Sequence, residues 1–125
     1  MTGGPLSYQG AAGGQGRERA TMALTIEQLT ERMQQFVRDQ GWYEPGSPRP
    51  QTLRNLAMSL SIEVSELMEH VQWAESPRDR QGWREELADV LLYLMQLASL
   101  SDVSLEQAVL EKLEKNAGRT WESGT

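Results

Sequence analysis

The run LADVLLYLMQLASL, Leu87 to Leu100, constrains the chain most: it holds a single charge, Asp89, and spreads its apolar residues over every side of a helix. A helix that is apolar all round has to be covered all round. β-Branched runs are absent and Phe occurs once among 125 residues, so the elements that do the covering are helices rather than strands. Hydrophobic residues make up 38% of the chain, enough for one core and not for two. The expectation is an all-α domain in which three further helices hardly suffice to cover the run, so that another subunit covers part of it.

Asp89 inside that run needs a reason, and Glu86 stands three residues before it. The stretch SIEVSELMEHVQW, Ser61 to Trp73, repeats the spacing with Glu63 and Glu66, and 20 positions separate the two pairs (86 − 66). On a helix, residues three apart share a face. Glu63 and Glu66 fall about 100° from the centre of their helix's apolar stripe, at the border of the buried face. Taken singly, each pair is ordinary, because Glu is a good helix former and surface carboxylates are common. Repetition on successive helices, with one member inside an apolar run, favours a metal site. Hard divalent cations take carboxylate oxygens from facing helices and keep waters beside a substrate phosphate.

The chain divides by composition. Residues 1–22 are rich in Gly, Ala, Gln and Ser, carry almost no large apolar residue, and are expected to form a disordered tail. Residues 23–121 form the domain and residues 122–125 a short C-terminal tail. Thr25 and Gln28 make a capping box for helix one, whose stripe Ile26, Leu29, Met33, Phe36 and Val37 ends at Gly41. Pro45, Gly46, Pro48 and Pro50 forbid regular structure between Trp42 and Gln51. Helix two is expected from Leu53 to Ala74. Helix three is expected from Pro77 to Leu100, with Ser76 as N-cap and Pro77 in its first turn. Ser104 and Gln107 cap a fourth helix that ends near Asn116-Ala117-Gly118.

Other residues admit two readings. Trp73 lies seven residues after Glu66 and Tyr93 four after Asp89, each on the acids' face if the helices run as expected; stacking on a base and ordinary packing are equally open. His70, the only histidine, is read as structural. Lys112, Lys115, Asn116 and Arg119 are adequately explained by the helix dipole and by pairing with Glu111. The net charge of −6 repels a phosphate backbone, which argues against nucleic-acid polymers and leaves small phosphates bridged by cations. The absence of cysteine excludes a disulfide framework, a thiol nucleophile and cysteine-ligated zinc, and is compatible with a reducing cytosol. With no leader-like segment and no apolar stretch near the roughly 20 residues of a membrane span, a soluble, cytoplasmic protein without membrane partners is expected.

The pattern E-x-x-E followed by E-x-x-D, and above all the run NLAMSLSIEVSELMEHVQW from Asn55 to Trp73, resembles the MazG-like all-α nucleoside triphosphate pyrophosphatases, a superfamily that includes the dCTP pyrophosphatases. The resemblance spans about Leu24 to Trp121. It implies a bundle of four to five helices working as a homodimer or homotetramer. The implied reaction is Mg2+-dependent (Mn2+ as a possible substitute) cleavage of a nucleoside triphosphate to monophosphate and pyrophosphate, clearing dCTP-like or non-canonical nucleotides. By the same resemblance Glu63, Glu66, Glu86 and Asp89 hold metal, and Glu63 orients the attacking water. Trp42, Trp73 and Tyr93 enclose the base, Asn55 belongs to a basic-Asn-Leu signature with Arg54, and Lys112, Asn116 and Arg119 match a run that grips phosphates. Alternatives are a dUTP or phosphoribosyl-ATP pyrophosphatase, or a non-catalytic helical interaction protein. Ile62 before Glu63, Thr120-Trp121 after Arg119, and the loop from Glu44 to Thr52 depart from the family pattern.

Overall fold

A computed structural model describes residues 23–119 as four α-helices: α1 (Ile26–Asp39), α2 (Leu53–Glu69), α3 (Arg80–Leu100) and α4 (Leu105–Ala117). No strand occurs among the described residues, as the all-α expectation requires, and the expected terminal tails lie outside them. Each helix begins where a side chain takes up orphaned backbone donors. Thr25 and Gln28 form the reciprocal box at α1, and Thr52, Asp79 and Ser104 each accept from the amide three residues on.

α2 and α3 form the main antiparallel pair, since Gln51 meets Gln96 near one end and His70 meets Glu86 near the other. α1 lies across α3, where Gln34 donates to the Ser99 hydroxyl, and α4 leans on α1 and α3. The Ser104 hydroxyl, at the head of α4, donates to Glu27 at 2.8 Å. The core sits where α1 crosses α3: Met33, Val37 and Met95 are buried, with Ile26, Leu29, Trp42, Tyr43, Leu91 and Leu105 packed around them. Burying each such side chain contributes about 1.5–3 kcal/mol.

Two boundaries differ from expectation. α2 ends at Glu69 rather than Ala74, because the amides of His70 and Val71 turn to the carbonyls three residues back, Leu67 and Met68, which tightens and closes the helix. α3 starts at Arg80, not Pro77, because Asp79 rather than Ser76 caps it, accepting from the Gly82 amide at 3.0 Å. The reversal there is tight. A Cβ on Gly82 would stand 2.6 Å from Asp79 Oδ2 and 2.9 Å from His70 Cε1, so the imidazole fills the space a side chain would need.

Much of the apolar run is uncovered in the single chain: Leu87, Leu92, Leu94 and Leu100 on α3 are exposed, as are Met58, Ile62, Val64 and Met68 on α2 and Val109, Leu110 and Leu113 on α4. Among the described residues no single helix is long and apolar enough to cross a membrane; α3 and α4 reach that length only together, across a bend of 102°.

Candidate active site

The antiparallel pairing of α2 and α3 brings the two acidic motifs together midway along the helices. Glu63, Glu86 and Asp89 each present a carboxylate oxygen within 4.8 Å of the others. Glu66, one turn along α2, is outside that trio yet faces Glu86, whose charge is the largest influence on it. The expected convergence of both pairs is therefore present, with three carboxylates in one cluster and the fourth beside it.

The electrostatics are those of unrelieved crowding. Burial, then a hydrogen bond with Glu86, then the charges of Glu66, Asp89 and Glu86 push the Glu63 carboxyl up to about 7. Glu86 raises Glu66 first of all, with burial and Glu69 adding to it. Burial, then Glu86 and Glu85, raise Asp89, while its bond with Glu63 works the other way. Glu63 Oε1 is also buried without a hydrogen-bond partner. A buried oxygen lacking a partner costs about 1–3 kcal/mol, so it calls for an unseen one. An all-oxygen donor set and an orphaned carboxylate oxygen together fit a hard divalent cation.

His70, set aside at the sequence level, lies 3.9 Å from Glu86 Oε2 and stacks edge-on against Trp83 at 6.0 Å. Those contacts brace the second motif from behind, in keeping with a structural role.

A half-open cavity of about 910 Å³ adjoins the cluster, and Asp89 belongs to both. Three residues expected to bind substrate line it: Trp42, Asn55 and Tyr93. Trp42 forms a wall, with the Phe36 ring edge-on at 5.7 Å and the Arg49 guanidinium 5.7 Å from its ring centre. Asn55 additionally shapes the rim, its amide donating to the Pro50 carbonyl at 3.0 Å.

Trp73, also expected to bind substrate, is absent from the lining of this cavity. It lies beyond the end of α2, 81% exposed, because the chain has already turned at His70, so an offset of seven residues from Glu66 no longer means two helical turns. Lys112 and Asn116, on α4, and Arg119, just beyond it, are absent from the lining of the cavity formed by one chain's described residues. Conversely, sequence reasoning passed over Arg32, Arg49, Gln51 and Gln96, all of which line the cavity. Gln96 was findable by the logic that found Asp89, since it is the one amide inside the Leu87–Leu100 run, and it is 5% exposed. Arg49 and Gln51 had no comparable signal: they sit in a proline-rich loop without periodicity.

Comparison with known proteins identifies the family. The family description "MazG nucleotide pyrophosphohydrolase domain" matches residues 51–122. The chain is 38% identical over 104 residues to dCTP pyrophosphatase 1 of Bos taurus, covering 76% of this chain and 59% of that protein. It is 36% identical to dCTP pyrophosphatase 1 of Homo sapiens, with 76% and 58% covered. The chain thus spans about three fifths of the length of the curated relatives it matches. Among solved structures, a pyrophosphatase from Archaeoglobus fulgidus superimposes with a TM-score of 0.62 at 35% identity, covering 76% of this chain and 91% of that one. The paired acidic motifs on antiparallel helices supply a metal-binding candidate, and these matches show that the chain belongs to the MazG nucleotide pyrophosphohydrolase domain family.

Proposed function

We propose that this protein hydrolyses a nucleoside triphosphate between its α and β phosphates, releasing a nucleoside monophosphate and pyrophosphate, and that it clears dCTP-like or non-canonical deoxynucleotides. The observation that carries the reading is that Asp89 lies both in the acidic cluster and in the wall of the adjoining cavity, so phosphates at the cluster leave a base in the cavity. Two matched relatives are named dCTP pyrophosphatase 1, which supports the substrate class.

Glu63, Glu86 and Asp89, with Glu66 beside them, would hold Mg2+, or Mn2+ in its place. The cation would neutralise the triphosphate and acidify an attacking water. Glu63, one of the residues that would hold the cation, would also orient that water. Trp42 and Tyr93 flank the base, and Arg32 and Arg49, on the cavity lining, add positive charge that the expected phosphate residues do not supply from the same chain. Lys112, Asn116 and Arg119, and the exposed Trp73, join the site in our reading from a second copy of the chain. That copy covers the apolar faces of α2, α3 and α4 in a homodimer or homotetramer.

The test is pyrophosphate release from a panel of canonical and modified deoxynucleoside triphosphates, with and without magnesium, for the wild type and Asp89→Ala. Metal-dependent release that the variant loses supports the reading. A folded wild type that turns over no triphosphate overturns it.

A further inference from the structure

Asp89, Tyr93 and Gln96 stand at i, i+4 and i+7 on α3 and all line the cavity, so one helical face runs from the acidic cluster, past an aromatic ring, to a buried amide. Seven residues are about 10 Å along a helix axis. Phosphates held at the acids therefore put the far edge of a base near Gln96. In a pyrimidine that edge carries the substituent at position 4, opposite the glycosidic nitrogen.

A free amide presents either of its ends, which makes it a poor reader of bases. Gln96 is not free. Its Nε2 donates to Gln51 Oε1, and Gln51 Nε2 donates in turn to the Arg49 backbone carbonyl at 2.6 Å. A backbone carbonyl only accepts, so Gln51 has one orientation, and Gln51 then fixes Gln96. One N–H of Gln96 is held in the relay, which fixes the amide's orientation and with it the place of Oε1, the acceptor.

We propose that this relay from Arg49 through Gln51 to Gln96 is the base-selecting device of the site, and that Gln96 Oε1 accepts a hydrogen bond from an exocyclic amino group. The device admits amino-bearing bases such as cytosine and disfavours keto bases such as uracil, whose oxygen would face an acceptor. The proposal rests on the pyrophosphatase reading for where the phosphates lie. It gives a role to the loop between Trp42 and Thr52, which holds Gln51 in place through the Arg49 carbonyl and the Asn55 to Pro50 bond.

The experiment compares kcat/KM for dCTP and dUTP, two substrates of one size, in the wild type, Gln96→Leu, Gln51→Leu and Gln51→Glu, each shown to be folded by circular dichroism. The wild type is expected to favour dCTP by about tenfold to a hundredfold, mainly through KM, because base contacts are made equally in the ground and transition states. Gln96→Leu and Gln51→Leu should bring the ratio close to one, the second by letting the Gln96 amide rotate. Gln51→Glu still accepts from Gln96 but loses the donor to the Arg49 carbonyl, so it should keep part of the preference. A wild type indifferent to the pair or favouring dUTP, or a preference unchanged in both leucine variants, overturns the relay while leaving the hydrolase reading intact. Should the wild type hydrolyse no triphosphate, the hydrolase reading fails, and calorimetric titration with dCMP and dUMP decides the relay: tighter dCMP binding that Gln51→Leu abolishes sustains it, and equal binding overturns it.

Discussion

Replacing Glu63 by Gln should stabilise the metal-free protein in alkaline solution. In the folded chain the Glu63 carboxyl is pushed up to about 7 from an ordinary 4.5, by burial first and then by its acidic neighbours. Between those two values the folded state keeps a proton that the unfolded state has released, so wild-type stability is intact below 4.5 and lost as pH rises through 7. At about 1.36 kcal/mol per pH unit, the difference of 2.5 (7 − 4.5) amounts to roughly 3 kcal/mol. The cluster opens to solvent on one side, which screens the repulsion and reduces the expected effect to about 1–2 kcal/mol. Gln mimics the neutral acid at every pH and escapes the loss. Urea unfolding in EDTA, at one protein concentration, should show Glu63→Gln and wild type nearly equal at pH 5, and the variant more stable by about 1–2 kcal/mol at pH 8. Magnesium at pH 8 should then stabilise the wild type more than the variant, since the cation rewards the charge that repulsion penalises. A variant less stable than wild type in EDTA at pH 8, or a gap that ignores pH, would refute the reasoning.

The remaining expectations are quickly put. Gly82→Ala, although it gains helix propensity, should lower stability by about 1 kcal/mol, because its Cβ meets Asp79 and His70; a melt in the His70→Ala background should recover only part of the loss, since the nearer contact, Asp79 Oδ2, remains. Met95→Ala empties the junction of α1 and α3 and should cost about 2–4 kcal/mol by denaturant titration, where a cost below 1 kcal/mol would mean the core lies elsewhere. Leu94→Glu on the exposed face of α3 should halve the mass or more by sedimentation, and a wild type already sedimenting as a monomer would contradict the second copy. Trp42→Ala removes the wall between Phe36 and Arg49 and should raise KM about tenfold with kcat less affected, read by pyrophosphate release.

The parts of the site legible in the sequence were those governed by helical periodicity. The spacings of Glu63 with Glu66 and of Glu86 with Asp89 place carboxylates on one face wherever each helix ends, and so did the i+4 offset of Tyr93, well inside α3. The face of Trp73 was not legible because it depends on where α2 stops, and the stop comes where the amides of His70 and Val71 bond the carbonyls three residues back. Arg49 and Gln51 were illegible for another reason. Their places are set by hydrogen bonds within a loop that prolines stiffen without giving it a period. Leu87, Leu92 and Leu94 are left exposed among the described residues, on the run that the sequence reading found hard to cover with three helices.

Because Asp89, Tyr93 and Gln96 ride on one uninterrupted helix, their order and spacing form a fixed ruler along the cavity, and in the proposed site along the substrate. Inserting a single residue between Asp89 and Gln96 would swing the amide about 100° off the cavity and shift it along the axis, breaking the register between chemistry and recognition. Lineages of this domain can therefore alter what they recognise on this side only by exchanging side chains in place. The opposite wall, the loop between Gly41 and Thr52, carries no such register and is free to change in length. New specificities should arise by substitution on α3 and by insertion or deletion in the loop, and a family tree of such enzymes would record the two kinds of change on opposite sides of one cavity.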